Sequence, residues 1–134
     1  MYQFVIPIHH VNWSTRSVLE GISQKYKPKQ IYVVTSDHEI KIFKDKSNSW
    51  DIKNLTLLDE DNFFLNKYGL TKTNIVSQIT QNKPNYTPGW LYQQIIKLGA
   101  NDVIDELDDV FVVWDSDLLP VRSLSLIHIS EPTR

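Results

Sequence analysis

The strongest chemical signal in the sequence is a pair of aspartates, Asp115 and Asp117, directly after the apolar run Val110–Trp114. Five apolar residues without alternation predict a strand that is buried on both faces. The two aspartates are one residue apart, so their side chains point the same way in an extended chain. Adjacent carboxylates repel each other, and a divalent cation relieves that repulsion. Hard oxygen ligands favour Mg²⁺ or Mn²⁺, which complete their shells with water and substrate phosphates, so the pair predicts a metal–diphosphate site.

The same two aspartates could instead be solvated turn residues, because Asp-x-Asp is a short pattern that often arises by chance. Their position favours the metal site, since open α/β sheets bind ligands outside the carboxyl ends of their strands. The other nearby acids lack this position and are interpreted as a solvated linker: Asp105, Glu106, Asp108 and Asp109.

A second polar group lies on a predicted helix that starts after Thr87, with Pro88 in its first turn, and stops at Gly99. At about 100° per residue, apolar side chains cluster on one side: Leu91, Ile95 and Leu98, with Tyr92 and Ile96 beside them. The opposite side carries one aromatic ring, two amides and one ammonium group: Trp90, Gln93, Gln94 and Lys97. Amides and ammonium suit sugar hydroxyls and phosphate, and Gly89 allows an anion to approach the helix N-terminus. Taken alone, the pattern fits an ordinary exposed face better.

Histidines follow the first two predicted strands. The first apolar run is stopped by Pro7 and followed by His9 and His10, and the loop after the second strand contains Asp37 and His38. If the strands are parallel, both loops lie on the same side of the sheet as Asp115, where a nucleotide base or ribose could bind. Plain surface histidines are the alternative, and a histidine metal site lacks a third ligand with convincing spacing.

Strands and helices alternate along the chain and predict an open α/β sheet. Predicted strands span Tyr2–Ile8, Gln30–Thr35 and Leu55–Leu58, and a helix capped by Ser14 lies between the first two. The spacing of the first three elements is that of a βαβ unit with a right-handed crossover. The segment Glu39–Phe43 could be helix or strand, and Lys44–Ser49 is predicted to be an exposed loop.

Composition bounds the class of protein. The 134 residues carry a net charge of −2, so a nucleic-acid partner is not expected. Cysteine is absent, which excludes disulfides and thiolate metal sites. No segment is apolar enough for a signal peptide or membrane span, and we expect a cytoplasmic protein whose Met1 is close to the true start. Only four glycines are present and no glycine-rich phosphate loop, so a metal would have to hold the phosphate.

The last eleven residues, Leu124–Arg134, match the translation of a transposase-type sequencing adapter residue for residue. We therefore expect the biological sequence to end near Ser123, with residues 1–123 forming an incomplete domain and residues 124–134 an artefact. A natural amphipathic tail is the alternative.

Two blocks of the sequence resemble a known group of proteins. A strand that ends in Asp-x-Asp late in an N-terminal nucleotide-binding half resembles the glycosyltransferase-A fold. GWLYQQIIKL followed by VFVVWDSDLLP is similar to an uncharacterised bacterial family of proposed glycosyltransferases with the pattern GW-x-x-QQ…DSD. The similarity runs from Phe4 to about Arg122, and its specific parts are the blocks Gly89–Leu98 and Val110–Pro120.

The resemblance implies an α/β, Rossmann-like half of a glycosyltransferase that takes a nucleotide-diphosphate sugar as donor and a divalent cation, Mn²⁺ or Mg²⁺, as cofactor. It implies that Asp117 is the direct metal ligand and that Asp115 contacts the ribose or sugar and can also reach the ion. The expected donor-binding residues are Pro7, His9, His10, Asp37, Gly89, Trp90, Gln93, Gln94, Lys97, Asp115 and Ser116, and the expected metal ligands are Asp115 and Asp117. The acceptor (glycan, lipid or protein) and any catalytic base belong to a C-terminal half, so we expect this chain to be an inactive fragment.

Two other functions fit the same pattern. A haloacid-dehalogenase-type phosphatase also places Asp-x-Asp after an apolar strand, but that strand is usually the first, and here Leu119 stands where Thr or Val would follow. A non-enzymatic α/β binding domain would make the acids incidental.

Overall fold

The computed structural model describes residues 2–82, 85 and 87–116 of the chain, which form an α/β protein with a four-stranded, all-parallel open sheet. The strands are β1 (Gln3–Pro7), β2 (Gln30–Thr35), β3 (Leu55–Asp59) and β4 (Val112–Val113). The helices are α1 (Thr15–Tyr26), α2 (Asp37–Ser47), α3 (Leu65–Tyr68), α4 (Lys72–Asn82) and α5 (Pro88–Val103). The predicted Rossmann-like α/β class is therefore confirmed.

The order of strands across the sheet is β3-β2-β1-β4, so the chain reverses its direction of strand addition at β1. β2 and β3 are added on one side of β1, where Gln3 pairs with Gln30, and β4 is added on the other, where Phe4 pairs with Val112. Parallel crossovers are right-handed, so this reversal requires the crossover helices before and after it to lie on opposite faces. The switch point lies between the carboxyl ends of β1 and β4.

Helices cover the sheet on both faces, and β1 is buried between them. Phe4 and Ile6 pack with α1 and α2 on one face, whereas Val5 packs with α5 on the other, and all three side chains are fully buried. A strand in this position has no solvent-facing side, which is why its sequence is a continuous apolar run instead of an alternating one.

The fourth strand is shorter than the run Val110–Trp114 predicts. Only Val112 and Val113 pair with β1, although the Trp114 N–H also donates to the Val5 carbonyl at 3.1 Å. Burial on both faces is confirmed for Phe111, Val112 and Trp114, because Phe111 joins the core beneath α5 and the other two join the core beneath α1. Val113 is only partly buried and Val110 is exposed.

Most of Lys44–Ser49 is exposed as predicted, but the prediction of a loop is wrong over most of that segment, because α2 continues to Ser47. Its first turn is fixed by Ser36, whose hydroxyl oxygen accepts the Glu39 N–H at 3.3 Å. Phe43 then packs into the core with side chains of β1 and β2, and Ile40 is buried as well. Once a helix is anchored, polar residues continue it at little cost, since propagation is easier than nucleation.

Helix α5 also extends beyond its predicted end, because it passes through Gly99 to Val103. Its buried stripe is Tyr92, Ile96 and Ala100, so the predicted stripe through Leu98 is wrong and the Leu98 side chain is 83% exposed. A Cβ atom at Gly99 would lie 2.8 Å from the Phe64 Cε1 atom. Gly99 therefore allows the helix to pack closely against the Phe64 ring, and it does not end the helix.

We predict that Gly99→Ala lowers the free energy of unfolding by about 1 kcal/mol. Alanine gains about 1 kcal/mol in helix propensity, but overpacking a buried ring costs about 1–3 kcal/mol. Urea unfolding followed by circular dichroism measures the difference.

The matched control is Gly89→Ala in the first turn of the same helix, where a Cβ atom meets nothing within 4 Å. That variant should be as stable as the native chain or slightly more stable. If Gly99→Ala proves stabilising as well, the close approach of Phe64 does not constrain the helix.

Candidate functional site at the switch point

The acidic end of β4 emerges beside the end of β1. Extending the β1–β4 register by two residues would place Asp115 level with Pro7, which is buried at the last position of β1. The Asp115 side chain is 55% exposed and Ser116 is half-buried in the turn that follows. Asp115 therefore stands at the carboxyl edge of the sheet, on the switch point where open α/β sheets bind ligands.

An ion pair joins Asp115 to helix α5. The Lys97 Nζ atom lies 2.8 Å from Asp115 Oδ1, and the Lys97 side chain is only 20% exposed. One turn further along α5, the Asn101 side-chain amide donates to the Asp108 carbonyl at 3.1 Å. These two contacts fix one side of α5 to the residues just before and just after β4. The contact between Lys97 and Asp115 therefore joins the sequence blocks Gly89–Leu98 and Val110–Pro120.

The other polar residues of α5 lie near this ion pair on the helix surface. Trp90 and Gln93 share a side of the helix with Lys97, because they precede it by seven and four residues. Trp90 is exposed, Gln93 and Gln94 are half-buried, and the start of the helix at Gly89 is open. Within the described residues the two glutamine side chains make no hydrogen bond, so their amide groups are available to a ligand.

The N-terminal end of α5 is held in place by Tyr92. Its hydroxyl group donates to the Glu60 carbonyl just beyond β3, and burial raises the pKa of Tyr92, with neighbouring Glu60 adding to the effect. Lys72 pairs with the buried Glu60 carboxylate at 3.1 Å and lies 5.6 Å from the centre of the Tyr92 ring. Because α5 is anchored at β3 and at β4, it spans the sheet in a fixed orientation.

Glu39, which the sequence did not single out, organises the loop after β1. Its carboxylate contacts His10 Nδ1 at 3.0 Å and accepts the Val11 N–H at 3.2 Å, and its side chain is only 10% exposed. The hydrogen bond from His10 lowers the Glu39 pKa most, burial opposes that effect, and the Val11 N–H lowers it further. The spacing Ser36-x-x-Glu39 is that of a capping box, which was the available signal. In the structure the Ser36 half forms, whereas the carboxylate is used by the neighbouring loop.

The histidines and Asp37 have different surroundings. The His9 and His10 rings lie 4.1 Å apart, and both residues are exposed at the end of β1. Asp37 and His38 start α2 after β2, and Asp37 forms an exposed ion pair with Lys41 at 3.5 Å. Of these residues, His10 alone is held by a buried partner.

Asp117, one of the two predicted metal ligands, lies outside the described residues. In the part that is described, no group of three or more His, Cys, Asp or Glu side chains is placed to hold a metal ion. Asp115 is a half-exposed carboxylate, and Mg²⁺ is commonly held by one or two carboxylates with water and substrate phosphates supplying the remaining ligands. Among the described residues the donor set is therefore one carboxylate, which a divalent ion could share with water and phosphate oxygens.

Fold and site together define a Rossmann-like α/β protein with a polar cluster at its switch point. Residues 16–132 match the model of a protein family described as a family of unknown function (DUF6492), and the chain belongs to that family. The matched range contains both sequence blocks and part of the tail Leu124–Arg134, whose adapter origin stays a prediction. Neither the curated proteins nor the solved structures gave a match. Among the described helices, none has the length and apolar character that crossing a membrane requires.

We predict that Glu39→Gln lowers the free energy of unfolding by about 1–2 kcal/mol at pH 6, because one of two hydrogen bonds to a charged acceptor loses its partner. The folded pKa of Glu39 lies below its ordinary value of 4.5. The contribution of the ionised group is therefore complete above pH 4.5 and is lost as the pH falls through the folded pKa. Urea unfolding of both proteins between pH 3 and 7, roughly the range in which carboxyl groups and histidine titrate, measures this.

The same substitution in a His10→Ala background is the control, because one of the two hydrogen bonds is already absent there. In that background, Glu39→Gln should lower the free energy of unfolding by less than it does in the native chain. An equal cost in both backgrounds, or a difference that grows on acidification, would contradict the assigned role of His10.

Proposed function

We propose that this chain is the donor-binding part of a metal-dependent glycosyltransferase that uses a nucleotide-diphosphate sugar. The observation that carries the proposal is the contact between Lys97 and Asp115 at the switch point of the sheet. This contact joins helix α5, which carries the amides, to the acidic end of β4. The resemblance to the family rests on the combination of these two sequence blocks.

The chemistry of the site suits a diphosphate. Asp115, with Asp117 two residues later, supplies carboxylate oxygens for Mg²⁺ or Mn²⁺, and Lys97 supplies a positive charge for phosphate oxygens. When bound, the ion would act as a Lewis acid that offsets the charge developing on the departing diphosphate. Gln93 and Gln94 present amide groups that can donate to and accept from sugar hydroxyls. Trp90 and Gly89 line the open start of the same helix, and Ser116 lies next to the acids.

The nucleoside would bind along the carboxyl ends of β1 and β2. The end of β1 offers Pro7, His9 and His10, and the start of α2 offers Asp37. Glu39 contacts the Nδ1 atom of His10 and holds the ring in place. The Nε2 atom of this exposed ring can then contact a ligand. Loops at adjacent strand ends are where dinucleotide and mononucleotide ligands bind in open α/β sheets.

No acceptor site or catalytic base is assigned among the described residues. A glycan, a lipid or a protein could serve as acceptor, and the compartment we propose is the cytoplasm.

The test is a thermal unfolding experiment with UDP or GDP, each with and without Mn²⁺. A ligand that binds only the native state at about 100 times its Kd adds about 2.7 kcal/mol of stability, so the midpoint should rise by several degrees. The rise should require metal and nucleotide together.

The matched variants are Asp115→Asn, which should abolish the metal-dependent rise, and Asp108→Asn, which removes an exposed acid from the opposite edge of the sheet and should keep it. A cooperative unfolding transition without any shift, at millimolar UDP, GDP and Mn²⁺, would contradict the proposal and favour a non-enzymatic domain.

A further inference from the structure

The lysine at the switch point is placed unlike the other lysines that pair with aspartate. Lys29, Lys41 and Lys67 form pairs in which both side chains are about half exposed or more. Lys97 is 20% exposed while its partner Asp115 is 55% exposed. Most of the Lys97 side chain is therefore shielded from solvent, whereas the carboxylate that it contacts is open to solvent.

Lys97 and a divalent cation would compete for the same carboxylate. The ammonium nitrogen is 2.8 Å from Asp115 Oδ1, and an ion bound to that carboxylate would lie within a few ångströms of it. Like charges at such distances repel strongly in a partly buried site. The four-carbon stem of lysine is flexible, so the ammonium group can move without any movement of α5.

We propose that Lys97 is an exchangeable cation. It neutralises Asp115 when no metal is bound, and it turns to the donor diphosphate when Mg²⁺ or Mn²⁺ takes the carboxylate. This inference rests on the proposed function and adds an order to it, since the metal releases the residue that completes the phosphate site.

The exchange couples the two ligands. Metal binding must break the ion pair, which weakens binding of the metal alone, and the freed ammonium group then strengthens binding of the diphosphate. Because coupling between sites is reciprocal, the diphosphate must raise the metal affinity by the same factor. Removing the Lys97 charge should therefore change the two affinities in opposite directions.

The experiment measures Mn²⁺ binding by electron paramagnetic resonance, and pyrophosphate binding at saturating Mn²⁺ by calorimetry. With the full chain of the Lys97→Gln variant, Mn²⁺ alone should bind roughly threefold to tenfold tighter, since a partly exposed ion pair no longer opposes it. Pyrophosphate should bind about tenfold weaker, because one charged contact is lost.

Two further variants make the result specific. Lys97→Met keeps most of the stem and should behave like Lys97→Gln, so a packing defect in one variant cannot account for both. Lys29→Gln is the control variant. Lys29 directly precedes β2, at the opposite end of the strands from Asp115, and pairs with Asp108. Removing its charge should leave both affinities unchanged. Far-ultraviolet circular dichroism confirms that each variant is folded.

The outcomes separate the inference from the proposed function. If Asp115→Asn abolishes Mn²⁺ binding but Lys97→Gln and Lys97→Met leave it unchanged or weaker, the exchange is wrong and the metal site stands. If Mn²⁺ binds neither the native chain nor the Lys97 variants, or binds regardless of Asp115→Asn, the metal site of the proposed function fails and the exchange fails with it. Tighter Mn²⁺ binding in both Lys97 variants with weaker pyrophosphate binding supports the exchange.

Discussion

The structure depends on the burial of strand β1 on both of its faces. Phe4, Val5 and Ile6 are fully buried, and each faces a different layer from its neighbour in the chain. Each fully buried side chain of this kind contributes about 1.5–3 kcal/mol, so covering only one face would forfeit a large share of the stability of a small domain. The two helical layers meet that requirement, and all-parallel sheets are typically covered on both faces in this way.

The site follows from the central position of β1 in the sheet. Both neighbours of β1 run parallel to it, with β2 and β3 added on one side and β4 on the other. The loops at the carboxyl ends of β1 and β4 then turn to opposite faces and leave an opening between them. Polar and charged groups that would be costly in the core can lie there next to solvent, which is where Asp115 and the exposed His9 and His10 are found.

Carboxylates beyond the ends of the strands find their partners within the protein. Asp115 pairs with Lys97 and Glu60 with Lys72, whereas the Glu39 carboxylate is hydrogen-bonded to the His10 ring and to the Val11 N–H group. Each of the three pairs joins residues from two different elements. The polar contacts therefore hold together the ends of strands and helices that hydrophobic packing alone leaves at the rim of the core.

The sequence by itself determined the class of fold, three strands almost to the residue, and the acidic end of the fourth, because two-sided burial leaves continuous apolar runs that end in polar residues. It also marked Lys97 and Asp115 as members of two suggestive patterns. Only the tertiary structure decided that these two side chains meet, that Glu39 supports His10, and that α5 passes through Gly99 to pack against Phe64. The physical reason is that such contacts join residues far apart in the chain, whose distances are set by the packing of helices on the sheet and leave no local periodicity to detect.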